Sequence, residues 1–259
     1  MKCCICGTIK NVEKYLDKNF KNIELIGSLF EDYIIILYYD ISSDNTLQKI
    51  QDYQIKNNKL QIIINNEKPL EYRTHRISKG RNSIIQMIKD KYSNYDYFIM
   101  MDCDDKCAYN IRLALLKNYL NNDNNWDSLS FNHPEGYYDS WALSIRPFVA
   151  SCHHFNQRGE GQKLISKLIK LTPKNKLIKC LSAFNGFAIY KTTKFINCYY
   201  DGRFRLDYIP KKLLIEHIKA EGMINTQNAK EDCEHRHFHF QSVFKNNAKI
   251  RISPHCLFV

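Results

Sequence analysis

The chain lacks several features that would each assign a class. Across its 259 residues no run approaches the ~18 apolar residues that a membrane-spanning helix needs. The longest apolar candidate, Tyr33 to Tyr39, is strand-sized. The opening segment MKCCICGTIKNVEKYL has no long apolar region and no small-residue cleavage site. No signal peptide is expected there, and the expected location is the cytoplasm. Cys3 and Cys6 stand in CxxC spacing, but no partner CxxC pair occurs elsewhere among the 10 cysteines. Scattered free thiols are therefore expected, and Cys3, Cys4 and Cys6 are expected to be small buried side chains of a first strand, with a zinc site the weaker reading. No repeat or low-complexity linker marks a boundary. A single domain spanning 1–259 is expected, with a first half over 1–105 and a second over 106–259.

What is present is positive charge. Lys and Arg number 38 against 27 Asp and Glu, a formal net charge of +11. That balance favours anionic partners such as nucleotides or anionic polymers. Against this background three carboxylates crowd into four positions, Asp102, Asp104 and Asp105, directly after the apolar run Tyr97–Met101.

The first hundred residues alternate between two periods. Short apolar runs at Cys3–Thr8, Tyr33–Tyr39, Leu60–Ile64 and Tyr97–Met101 predict strands. The spacing of Val12, Leu16, Phe20, Ile23 and Ile26 predicts a helix over Val12–Leu29. Further helices are predicted over Thr46–Tyr53, behind a Ser/Asp/Asn cluster, and over Ile77–Lys91. Strand-helix alternation of this kind implies an α/β fold with a mainly parallel sheet and helices on both faces. Ligands of such sheets bind at the carboxyl ends of the strands. Three polar clusters fall there: Gly7-Thr8, Asp40 with Ser42, Ser43 and Asp44, and Asp102 to Asp105. Beyond residue 106 the pattern loosens. Strands are expected at 126–132 and 187–191, a basic helix at Lys163–Leu171, and a loop at 201–212.

In Asp102-Cys103-Asp104 the two acids alternate, so on a strand end both face one point. Hard oxygens beside an open loop suit Mg²⁺ or Mn²⁺, which keep waters and take further ligands from a diphosphate. Read without function, the same residues are an acidic surface turn. The stretch RTHRISKGRN (73–82) opens the helix leading into that strand. It offers Arg76, Lys79 or Arg81 to phosphates, with Arg81 and Asn82 expected on its first turns. Arg81 is also able to pair with an aspartate of the triplet. In EDCEHRHFHF (231–240), an extended chain would turn His235, His237 and His239 to one side, beside Asp232 and Glu234. Imidazole there would complete a metal shell and tilt the ion toward Mn²⁺. The carboxylates would be candidate general bases.

Taken together, CGTIKN, YYDISSDNT, KGRN and MMDCDD resemble the GT-A fold of nucleotide-sugar-dependent glycosyltransferases of the DXD type, over nearly all of residues 3–105. The segments YYDSWAL, SAFNGFAIYK and CEHRHFH resemble their acceptor-side lobe more loosely. The likeness extends to uncharacterised glycosyltransferases of large DNA viruses and to capsule-type mannosyltransferases. The resemblance implies metal-dependent transfer of a sugar from a nucleoside-diphosphate sugar, a UDP-sugar being favoured, to a hydroxyl on a glycan or protein. It implies that Gly7, Thr8, Asp40, Arg81, Asp102 and Cys103 surround the nucleotide. Asp104, with Asp102 and His235, would hold the metal. Asp232 or Glu234 would be the base, and Trp141, Asn185 and Gly186 would shape the sugar pocket. Two rivals stand beside it. A sugar-phosphate nucleotidyltransferase would normally show a glycine-rich loop after the first strand, where this chain has one glycine. A basic nucleic-acid-binding module would gather its lysines into a stripe, whereas these are spread along the chain.

Overall fold

The structure, a computed structural model, describes residues 1–150, 160–222 and 229–259. Cys152 lies outside the described residues. One eight-stranded sheet runs through the described chain. Its strands are β1 (Lys2–Ile9), β2 (Asp32–Tyr39), β3 (Leu60–Ile64), β4 (Tyr97–Met101), β5 (Ser128–Asn132), β6 (Ile178–Cys180), β7 (Phe187–Lys191) and β8 (Ile250–Cys256). Their order across the sheet is β3-β2-β1-β4-β7-β5-β8-β6. The pairs β3–β2, β2–β1 and β1–β4 are parallel. Strand β7 enters antiparallel between β4 and β5, while β8 returns parallel to β5. The expected mixed, mainly parallel α/β architecture is the one observed.

The sheet buries both faces, and the two-residue period of the strands sorts side chains between them. Cys4, Cys6, Ile36 and Tyr38 join one core, and Cys3, Ile5, Ile35 and Leu37 join the other. The three early cysteines are thus packing residues. Burial raises all three thiols above their ordinary range, and among the described residues no group of three or more His, Cys, Asp or Glu is arranged to hold a metal.

Helix α1 (Glu13–Gly27) presents Leu16, Phe20, Ile23 and Ile26 to the second core, as their spacing predicts. Helix α2 spans Thr46–Lys56. Helix α3 spans Arg73–Lys91 and so starts four residues before the expected Ile77. Its first residue follows Tyr72, which makes no capping bond, so the usual N-terminal signal is missing. Helices α4 (Leu113–Asn121), α5 (Glu160–Leu171), α6 (Thr192–Phe195) and α7 (Lys211–Glu221) follow.

The largest departure is α8 (Glu234–Asn246). The stretch expected to be extended is helical, and its first nine residues, Glu234 to Ser242, are buried. Alternating His and Phe imitate a strand's period. In the helix, however, His235 and His239 share a face and His237 turns elsewhere. No helix among the described residues is long and apolar enough to cross a membrane.

Candidate active site

A cleft of about 340 Å³ opens at the carboxyl ends of β1, β2 and β4. Thr8, Asp40, Asp102, Cys103 and Asp104 line it, as does Arg76 from the first turn of α3. The fold also brings in side chains that the strand-end reading missed: Lys10, Asn11, Tyr15, Tyr38 and Arg73. Arg73 lies inside the basic stretch already singled out. Its place in the cleft follows from the earlier start of α3.

Asp40 accepts from Lys10 Nζ at 3.0 Å, Asn65 Nδ2 at 2.9 Å and the Ile41 amide at 3.0 Å. Burial pushes its carboxyl up, but Asn65 and Lys10 outweigh that and hold it below its ordinary range. It is an ionised acceptor on the cleft wall. Gly7 does not line the cleft. A Cβ there would lie 2.8 Å from Cys103 Sγ and 2.9 Å from the Met101 carbonyl, so the missing side chain lets β1 and the loop after β4 approach. Gly7→Ala should therefore destabilise the protein by about 1–3 kcal/mol, read as a lowered urea midpoint. A midpoint equal to wild type would show that Cys103 simply moves aside.

The loop after β4 is held from three directions. Asp104 Oδ1 accepts from the Lys106 amide at 2.9 Å and caps the short turn Asp105–Cys107. Two buried asparagines of α1 hold the backbone: Asn19 donates to the Asp104 carbonyl at 3.1 Å, and Asn22 to the carbonyls of Cys107 and Tyr109 at 2.8 and 2.7 Å. Polar residues one helical turn apart on an otherwise apolar face were the available signal for this role. From the second half of the chain, the Gly186 carbonyl accepts from the Asp102 amide at 2.8 Å.

Arg81 sits beneath this loop. It is the ninth residue of α3, not part of its first turns, and it is only 3% exposed. Its Nη2 donates to Asp102 Oδ1 at 3.1 Å, and its Nη1 contacts Glu234 Oε1 and His235 Nε2. The guanidinium also lies over the rings of Phe184 and Tyr200, 4.8 and 5.7 Å from their centroids. Glu234 is spent on this ion pair. Asp232 is buried as well. It accepts from the Cys233 amide at 2.7 Å and lies 3.5 Å from Arg236 Nε.

The three histidines do not form one shell. His235 faces the Arg81 cation, and burial and Arg81 keep it neutral. His239 bridges Ser182 Oγ at 2.9 Å and Tyr190 Oη at 3.1 Å. His237 packs between the rings of Tyr199 and Tyr208. The expected set of Asp102, Asp104 and His235 is thus not assembled, because a guanidinium stands between the carboxylate and the imidazole.

The two aspartates are a different matter. Burial and then the neighbouring Asp104 push Asp102 up to about 8, even with Arg81 in contact. Burial raises Asp104 too. Two carboxylates that line one cleft, both raised by burial and one of them raised further by the other's charge, have the donor chemistry a divalent cation requires. With oxygen donors alone, the imidazole-based preference for Mn²⁺ over Mg²⁺ disappears.

Asn185 and Gly186 support the site from below. Asn185, at φ 58°, donates to the Phe131 carbonyl at 2.9 Å and accepts from the amides of Tyr138 and Asp139 at 3.0 and 3.1 Å. Gly186, at φ 83°, leaves room for the Tyr138 hydroxyl, which would lie 2.3 Å from a Cβ. The Trp141 carbonyl accepts from Arg236 Nη2. Asp139, half-buried, was missed as a site residue. Burial raises its carboxyl, and its oxygens accept from the amides of Ala142 and Asn185 at 3.1 and 3.3 Å.

The buried histidines predict an acid limb. Burial and then Arg236 press His217 down to about 4, and burial with Arg81 and Arg236 presses His239 down to about 3. The unfolded chain takes up these protons near pH 6.5, so it binds more of them below that pH. Their share of the stability should therefore fall as pH drops from about 6.5 toward 4, by about 2 kcal/mol per histidine at pH 5. Asp102, held at about 8, binds its proton more tightly in the folded protein and works the other way over the same window. The histidine share is therefore read as the difference in pH dependence of urea unfolding, pH 7 against pH 5, between wild type and His217→Gln. The same pH dependence in both would contradict it.

No family model matches the chain, and no curated protein sequence matches it. Solved structures do. Residues 1–349 of S. aureus TarS superpose with a TM-score of 0.54 at 16% identity, covering 100% of this chain and 60% of that one. The same fragment in complex with UDP gives a TM-score of 0.53 at 16% identity over the same shares. Its complex with UDP-GlcNAc gives 0.53 at 17%, over 100% and 58%. The chain thus spans about 60% of this fragment and 35% of the longer TarS chain, and what it shares with them is the fold.

Proposed function

We propose that this chain is a nucleotide-sugar-dependent glycosyltransferase using a UDP-sugar as donor. The observation that carries this reading is the cleft itself: Asp102 and Asp104 face Arg73 and Arg76 at the carboxyl ends of the parallel strands, where such folds place nucleotides. The TarS fragment of the same fold is solved with UDP and with UDP-GlcNAc, which supports uracil as the base.

The roles follow from position. Thr8, Tyr38 and Asp40 take the nucleoside, with Asp40 as a hydrogen-bond acceptor. Arg73 and Arg76 meet the diphosphate as paired cations. Asp102 and Asp104 would hold Mn²⁺ or Mg²⁺, which when bound offsets the negative charge of the departing nucleoside diphosphate. Arg81 sets the orientation of Asp102 and is a positioning residue, and Glu234 in turn positions Arg81. That leaves Asp232 as the candidate for taking the proton from the acceptor hydroxyl. Asn185 and Gly186 shape the sugar side by fixing the segment around Tyr138, and Trp141 follows in that segment, tied through its carbonyl to Arg236 Nη2.

Thermal shift with UDP, with and without Mn²⁺, followed by hydrolysis of a nucleotide-sugar panel, tests the proposal. Stabilisation by UDP with the ion and turnover of a UDP-sugar are expected. Turnover of none of the panel, with stabilisation by CTP or ATP alone, would move the assignment to nucleotidyl transfer.

A further inference from the structure

A second cleft, of about 610 Å³, lies at the far edge of the sheet, where β6 and β8 meet α4. It shares no lining residue with the cleft at β1, β2 and β4. Its walls carry Lys174, Lys176, Lys179, Lys249, Arg251 and His255, four asparagines, and no Asp or Glu. The sequence scatters these cations over nearly eighty residues, and the pairing of β6 with β8 gathers them.

Among the described residues no carboxylate lines the cleft; Asp127 stands outside it, accepting from the Lys249 amide at 2.8 Å and acting on Arg251 from behind. None of the five permanent cations is in an ion pair with a described carboxylate. Their hydrogen bonds go instead to neutral carbonyls: Lys174 Nζ to Pro254 at 3.2 Å, Lys249 Nζ to Asn124 at 3.1 Å, and Arg251 Nη1 to Ile250 at 2.8 Å. Like charges around one concavity repel, and a concave wall of low polarisability focuses their field on the space between them.

We infer that this cleft binds a compact, multiply charged phosphate group, separately from the donor site. Asn118 and Asn125 add carboxamide donors of the kind that complete a phosphate shell, while the Asn122 carboxamide donates to the Asn118 carbonyl at 2.9 Å. The shape of the site argues against a nucleic-acid strand, because stacking needs open aromatic faces. Tyr119 and His255 are the aromatic rings in the lining, and His255 Nε2 is tied to the Lys174 carbonyl at 3.1 Å. The Tyr119 hydroxyl is tied to Ser253 Oγ at 2.9 Å, and the Tyr119 ring meets Phe131 edge-on.

The test is calorimetric titration of sodium tripolyphosphate, without metal and at low salt, into the Arg73→Gln/Arg76→Gln protein. That background disables the donor cleft, so success or failure here does not depend on the sugar-donor reading. Saturable binding is expected, weakened at least tenfold by adding Lys176→Gln/Lys179→Gln/Arg251→Gln. Because Arg251 is half-buried, Lys176→Gln/Lys179→Gln/Lys249→Gln, built on exposed positions, should give the same loss if the first set fails to fold. A mannose 6-phosphate titration separates the two sources of the ligand. Tighter binding than tripolyphosphate places the phosphate on a glycan, and weaker binding places it on a free oligophosphate. Affinity within threefold of the background in both variants, or no binding in the background, overturns the inference. Tighter binding of a ten-residue oligothymidylate, lost in the same variants, also overturns it, in favour of a nucleic-acid strand.

Discussion

Asp104→Asn is expected to lower metal-dependent turnover of the nucleotide sugar by about 10²–10³-fold, equivalent to some 3–4 kcal/mol of transition-state stabilisation. The substitution is nearly isosteric. Its Oδ1 can still accept from the Lys106 amide, the bond that caps the turn at Asp105–Cys107, so the loop should keep its shape and the protein its stability. What changes is the charge beside Asp102. Without Asp104's repulsion, the Asp102 carboxyl, pushed up to about 8 chiefly by burial and next by Asp104, should drop, while the pair's affinity for a divalent ion weakens. Asp232→Asn is expected to fail at a different step. Transfer to an acceptor should drop while donor KM and Mn²⁺ affinity stay near wild type, because Asp232, proposed above as the base, stands at the entry to α8 and does not line the cleft at β1, β2 and β4. Steady-state kinetics on both variants, with Mn²⁺ titrated, separates the cases. Wild-type turnover in Asp104→Asn at saturating Mn²⁺ would remove the metal role.

Arg81→Met should cost about 3–5 kcal/mol of folding stability, the loss typical when one member of a buried ion pair is removed. Glu234 is 5% exposed and would lose the cation that offsets its desolvation. Phe184 and Tyr200 would lose the guanidinium lying over their rings. The single substitution therefore leaves a buried carboxyl that must either ionise alone or take up a proton. Removing that carboxyl as well should recover much of the loss. Arg81→Met/Glu234→Leu is expected to be more stable than Arg81→Met, because a buried ion pair replaced by apolar groups of similar size is often neutral. Urea denaturation of the two variants and wild type checks this. A loss below about 1 kcal/mol in Arg81→Met, or losses that simply add in the double variant, would mean the pair does not anchor α8.

The sequence made the first half of the sheet legible because its strands are buried on both faces and read as unbroken apolar runs. β3 and β4 have the expected bounds, and β2 differs by one residue. β8 went unread. It carries Pro254 and shifts register against β5 between Phe131 and Asn132, and a bulge of this kind is where a sheet tolerates proline. α8 was misread for a different reason. Its histidines, arginine and glutamate are buried, and their partners lie far along the chain: Arg81, Ser182, Tyr190 and Tyr199. Local pattern does not reveal such partners. At the site, the acids and the strand-end positions were readable because chemistry and topology coincide there. The position of Arg81 was not, since one uncapped helix start displaced the whole reading of α3.

The bond from the Asp102 amide to the Gly186 carbonyl and the contact of Arg81 with Glu234 tie the acid-bearing loop to residues that are translated much later. While the chain is being made, residues 1–105 emerge before Glu234 exists. Until α8 docks, Arg81 has no carboxylate from the second half to meet, and Asp102 lacks its Gly186 tether. Two contacts behind the acid-bearing loop are therefore long-range, and both are absent until the second half of the chain has folded back against the first.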